Sequence, residues 1–246
     1  MIFLQNAIAA VQRNALALLI YAAGILGIQI LGLAAEYVFL GGWTVPAETM
    51  SGRMQAIGLA ISLVQAPLSA IVTAIAFARI GKDMDRPLWR SAGDRDALRR
   101  FFQLWFVLIL VSLALGHATS VAHSRESSLV VPLLLLYLLF SILTVPIGAC
   151  MMFPGAPQWR EIGRNLAPLG YQFPRTLLLC FLTFLQVVLV QKVFEVRVDP
   201  EAGYRWLLLT PVVTVIGAYI DCLVFAGAWL MCIDHRNTDR DTDFDF

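Results

Sequence analysis

Residues 129–152 read LVVPLLLLYLLFSILTVPIGACMM, a run without a single charged side chain. At 1.5 Å per residue such a helix is about 36 Å long, enough to cross the roughly 30 Å hydrocarbon core of a bilayer. An amphipathic surface helix keeps a polar stripe at 3.6-residue spacing, whereas Leu133, Leu134, Leu135 and Leu136 cover every side. Outward from this stretch, further apolar runs bounded by charges or Pro/Gly clusters lie near 15–40, 56–80, 101–121, 177–196 and 207–233. The expected fold is all-α and membrane-integral, with six transmembrane helices. Composition agrees, since 59% of the 246 residues are hydrophobic and 14% charged, against about 45–50% and about 25% in soluble domains. With net charge +1 and four cysteines, a disordered chain, a disulfide-built secreted domain and a nucleic-acid binder are excluded.

Charge gives the orientation. Arg13, Arg79, Lys82, Arg86, Arg90, Arg95, Arg99, Arg100, Arg160, Arg164, Arg175, Arg236 and Arg240 fall on one side of the six runs. Arg53, Arg125, Lys192, Arg197 and Arg205 fall on the other. Under the positive-inside rule, both termini are expected in the cytoplasm. Met1 to Asn14 lacks the basic region that opens a secretory signal, so the first run is expected to remain as a span.

A repeat cuts across this pattern. Pro87-Leu88-Trp89-Arg90-Ser91-Ala92-Gly93 and Pro157-Gln158-Trp159-Arg160-Glu161-Ile162-Gly163 share Pro-x-Trp-Arg-x-x-Gly, and an apolar pair of runs follows each. A degenerate third copy sets Gln12-Arg13-Asn14 against Gly163-Arg164-Asn165. The second and sixth runs align at a nearby offset, with Ala78 to Lys82 opposite Leu230 to Asp234. The chain then reads as one membrane domain of three repeated hairpins, 1–85, 86–156 and 157–234, each introduced by a cytoplasmic interfacial helical segment. An acidic flexible tail, 235–246, completes it. Pro suits a first helical turn, Trp prefers the headgroup level, and Arg meets phosphate there. Trp89, Arg90, Trp159 and Arg160 are thus expected to anchor the hairpins in the lipid interface, or alternatively to contact lipid headgroups or a partner protein.

This layout, with Gln12-Arg13-Asn14 entering the first span, the basic segment Arg86 to Arg100, and Arg160 to Asn165, resembles the YciC-like six-span bacterial inner-membrane proteins. That group is related to the membrane domain preceding some glycerophosphodiester phosphodiesterases. The resemblance implies compartment and layout and no particular reaction. The chain departs from the group in Phe153-Pro154-Gly155-Ala156-Pro157, and it carries no phosphodiesterase domain.

No Gly-x-x-x-x-Gly-Lys-Ser/Thr, Gly-x-Ser-x-Gly or His-Glu-x-x-His occurs. His117 and His123 point to different sides of a helix, and no Cys-x-x-Cys is present, so neither metal nor cofactor is expected. Cys150, Cys180, Cys222 and Cys232 read as thiols buried in spans. The informative residues are the polar ones near span centres, Gln29, Gln65, Gln186 and Asp221, which are expected to form one midplane layer. Small and polar residues share helical stripes with them: Gly58, Ser62, Ser69 and Thr73 on the second span, and Thr210, Thr214 and Gly217 on the sixth. Asp221 is expected to face the bundle, protonated or paired, with Gln65 and Ser69 as its nearest partners. Pro67 and Pro146 interrupt spans near such positions and could free backbone carbonyls for a ligand.

The expected function is non-enzymatic: an accessory or scaffold subunit of a membrane complex, or an envelope-maintenance protein. Its partners are then the lipid bilayer and a membrane protein or a second copy, with no nucleic acid. The alternative is a small repeat-built transporter or channel with a polar site around Asp221. A lipid-modifying enzyme would have to use Asp83, Asp85, Asp94 and Asp96, which a solvated, charge-balanced loop explains better.

Overall fold

The computed structural model describes residues 2–40, 52–84, 94–154, 159–198 and 205–242. Within them lie eight α-helices and no strand: α1 (Ile2–Arg13), α2 (Ala15–Leu40), α3 (Gly52–Met84), α4 (Asp94–Ser124), α5 (Val130–Met152), α6 (Ile162–Tyr171), α7 (Phe173–Val198) and α8 (Arg205–Thr242). Six of these, α2, α3, α4, α5, α7 and α8, are long and apolar enough to cross a membrane. The protein is a polytopic, all-helical membrane protein.

Two corners explain why short helices precede long ones. At the first, the Asn14 carboxamide donates to Ala10 O (3.0 Å) and to Asp83 Oδ2 (3.1 Å), while the Asn14 backbone carbonyl accepts from Ala17 N (2.8 Å) and so opens α2. Arg13 adds an ion pair to Asp83 at 3.5 Å. At the second, Gln172 ends α6 through its N–H to Pro168 O and opens α7 by accepting from Arg175 N (2.9 Å). Its carboxamide also donates to Met231 O on α8 (3.1 Å). The geometric counterpart of Asn14 is therefore Gln172. Gln12-Arg13-Asn14 closes α1, whereas Gly163-Arg164-Asn165 lies at the start of α6, so these two triplets do not occupy equivalent positions. The interfacial segment before α4, with Trp89 and Arg90, lies outside the described residues.

α8 is the spine: it packs against α1, α2, α5 and α7, and less extensively against α3 and α6. Between helices in lipid, apolar burial gains little, because acyl chains are as apolar as Leu; close packing decides. The dense half of the bundle is the one next to the termini. There Phe77 stacks on Phe225 with ring centroids 4.4 Å apart, meets Tyr21 at 5.2 Å, and takes the edge of Trp105 at 5.1 Å. Trp229 continues the aromatic line to Phe153. Glycine admits these rings: a Cβ on Gly148 would collide with the edge of the Trp105 ring, and one on Gly81 would lie 3.0 Å from Trp229.

Toward the opposite end packing thins. Leu134, Leu135, Leu139, Leu208 and Val212 are exposed there and suit contact with lipid. The acidic tail is helical rather than free as far as Thr242. No Gly or Pro interrupts residues 233–242, Arg236 lies over the Phe153 ring and His235 stacks on Tyr171, so the last span propagates onward.

Candidate functional site

Three helices, with Gln65 reaching in from a fourth, enclose a cleft of about 340 Å³ in the thinly packed half. α8 forms its floor with Trp206, Thr210, Thr214, Gly217 and Asp221, spaced three or four apart and so on one face. α2 forms one wall with Tyr21, Ile25, Gln29, Leu33 and Glu36; α7 forms the other with Gln186, Val190, Val193 and Arg197. α2 and α7 rest on α8 without packing along one another. The register is antiparallel and constant: Tyr21 meets Asp221, Gln29 meets Thr214, and Glu36 reaches the level of Trp206 through Arg197. From Tyr21 to Glu36 the cleft is about 22 Å long at 1.5 Å per residue.

Polar groups occur at three levels. At the foot, Tyr21 Oη donates to Asp221 Oδ2 (3.0 Å), and Gln186 also hydrogen-bonds Asp221. Gln186 Oε1 is buried and has no hydrogen-bond partner among the described residues. Midway, Thr214 Oγ1 donates to Gln29 Oε1 (2.6 Å), in competition with its own i−4 carbonyl at Thr210 (2.8 Å). Gln65 reaches in from α3 and donates to Ile28 O (2.8 Å). At the mouth, Arg197 pairs with Glu36 and lies over the Trp206 ring at 5.2 Å. Two glycines accommodate the two long amides. A Cβ on Gly32 would collide with the Gln65 carboxamide, and one on Gly217 would sit 3.2 Å from Gln186 Nε2.

Gln29, Gln65, Gln186 and Asp221 thus all line one cleft. They are staggered along it rather than set in a single layer, because the α2 and α8 partners descend together in antiparallel register. Asp221 is held by Tyr21 and Gln186 instead of by Gln65 and Ser69. The physical reason is that α8 packs more closely against α2 and α7 than against α3, which leaves Gln65 to link α3 to α2. The three links Tyr21–Asp221, Thr214–Gln29 and Gln65–Ile28 each join two spans, and together contribute about 2–5 kcal/mol to helix association.

Elsewhere the polar side chains are satisfied locally. Ser141 and Thr144 donate to the carbonyls of Tyr137 and Phe140, four residues back in α5. Pro146 is buried in the dense half, and neither it nor Pro67 lines the cleft. Trp159 and Arg160 lie in a single 3-10 turn before α6, exposed and outside the lining of the cleft. Asp83 is committed to Asn14 and Arg13, and Asp96 is exposed. Among the described residues no three His, Cys, Asp or Glu side chains are grouped to hold a metal ion. Cys150 and Cys232, on α5 and α8, bring their sulfurs to 3.3 Å in a buried site. Sequence reasoning missed Tyr21 and the Glu36–Arg197 pair. Glu36 and Arg197 stand at the ends of apolar runs, where a charge reads as a boundary; the signal available was the spacing Tyr21, Gln29, Glu36 along one face of α2. Comparison with family models, with curated proteins and with solved structures finds no match to this chain.

Proposed function

We propose that this is a non-enzymatic protein of the bacterial cytoplasmic membrane, with both termini in the cytoplasm, that takes a small ligand into the cleft at Asp221 as a carrier or channel does. The observation that carries the reading is the cleft itself: a carboxyl and a carboxamide with an unused acceptor face a cavity near the middle of the spans, where unsatisfied polar groups are costly. Cavities of about 300–1,000 Å³ lined by apolar side chains with a few polar groups are typical of ligand sites. The charge asymmetry of the loops and the YciC-like layout support the compartment and the orientation.

The accessory-subunit or homo-oligomer reading has an observation of its own, the gap between α2 and α7, where the cleft-lining Val190 is exposed. In that case the occupant is a helix of a partner or of a second copy.

Thiol labelling separates the two. With the four native cysteines replaced, Val213→Cys in a ligand-accessible cleft reacts with a small polar methanethiosulfonate in native membranes. If it reacts only after purification, a partner fills the cleft. Failure to react in either state, while a cysteine at Ser128 reacts, overturns the ligand-site reading.

A further inference from the structure

We propose that the ligand of this cleft is an organic cation with an apolar body, a primary or secondary ammonium whose head docks between Asp221 and Gln186. The inference rests on the cleft being a ligand site and adds the chemistry of the ligand. Two carboxyl groups, Asp221 and Glu36, and one guanidinium, Arg197, line the cavity. That guanidinium stands eleven residues along α7 from Gln186, about 16 Å away, and is occupied by Glu36 and by the face of Trp206. Among the described lining residues, Asp221 therefore has no cation at its own level.

The hydrogen-bonding inventory points the same way. Asp221 already accepts from Tyr21, and Gln186 Oε1 is a buried acceptor without a donor. Gln186 also bonds Asp221, so what the foot lacks is a countercharge and a donor for Gln186 Oε1. An ammonium supplies two or three such donors together with the countercharge. An anion would meet the Asp221 carboxyl, and a neutral hydroxyl would satisfy one acceptor while leaving the carboxylate unpaired. Above the foot, Ile25, Val190 and Val213 line the way towards Trp206, which fits a hydrocarbon or aromatic body. The volume of about 340 Å³ limits the ligand to a small one.

The test uses the full chain in lipid nanodiscs and the amphiphilic amine dansylethylenediamine, with dansylamide as its neutral counterpart and empty nanodiscs to subtract partitioning. The amine should bind saturably and be displaced by unlabelled alkylamines. Asp221→Asn should weaken binding about ten- to a hundredfold, as expected for losing a charge-assisted hydrogen bond. Gln186→Leu should weaken it less, Asp221→Glu should retain it, and Thr210→Trp should abolish it by filling the cleft. Should Asp221→Asn not fold, Gln186→Leu and the preference for amine over amide decide. Equal binding of amine and neutral amide, or an amine affinity indifferent to Asp221→Asn or Gln186→Leu, overturns the proposal. Absence of saturable amine binding also overturns it, and Val213→Cys labelling then tells whether the cleft as a ligand site falls with it.

Discussion

Gly148→Ala adds one methyl group, and the structure fixes what it meets. The added carbon would lie 2.6 Å from Trp105 Cζ2, where ordinary carbon–carbon contact is about 3.5–4.0 Å. The ring must therefore retreat by roughly 1 Å. Retreat is obstructed on two sides, because Trp105 Nε1 donates to Met152 Sδ at 3.2 Å and the ring packs edge-on against Phe77. Overpacking of this kind costs about 1–3 kcal/mol, and a site blocked on two sides belongs in the upper part of that range. Replacing a helical glycine by alanine returns about 0.5–1 kcal/mol, which leaves a net loss of about 1–2 kcal/mol. The control is Gly27→Ala in α2, where no atom lies within 4 Å of the added carbon, so only the gain remains. Stability is read by SDS titration of the purified protein in mixed micelles. Trp105→Phe should shrink the obstacle, so that Gly148→Ala costs less in that background and the double-mutant cycle shows a coupling of about 1 kcal/mol or more. If Gly148→Ala is as stable as Gly27→Ala, or if its cost is the same with Phe at 105, the close α4–α5 packing is wrong.

A reporter fused after Phe246 should be cytoplasmic, and a cysteine placed within residues 124–128 should be labelled from outside intact cells; labelling only after lysis overturns the orientation. Diamide, a thiol oxidant, should link Cys150 to Cys232, whose sulfurs lie 3.3 Å apart, detected as a linked peptide pair by mass spectrometry. Equal linkage through Cys180 or Cys222 would contradict the α5–α8 packing.

The six spans were legible because their signal is local: each run needs only its own residues to show that it is long and uncharged. The identity of the polar residues was legible for the same reason, since Gln29, Gln65, Gln186 and Asp221 stand out against apolar neighbours. Their partners were not. Aligning the second and sixth spans pointed Asp221 at α3, yet α8 turns its Asp221 face to α2 and α7. That choice is a matter of shape across distant segments, of the kind seen where Trp229 of α8 fits against Gly81 of α3, and hydropathy does not encode it. Glu36 and Arg197 were hidden differently, because a charge closing an apolar run is ordinary until its partner 161 residues away is known.

The position of α8 as the spine has a consequence for biosynthesis. Of the described helices it is the last to leave the ribosome, yet α1, α2, α5 and α7 all pack against it. Until it inserts, Tyr21, Gln29 and Gln186 sit in lipid with the groups they will bond still unmade. Assembly must then run in two stages, with independent insertion of α2 to α7 followed by closure around α8. A chain released after Val198 should insert α2 to α7 but remain unassembled, and exposed to membrane proteases, for want of α8.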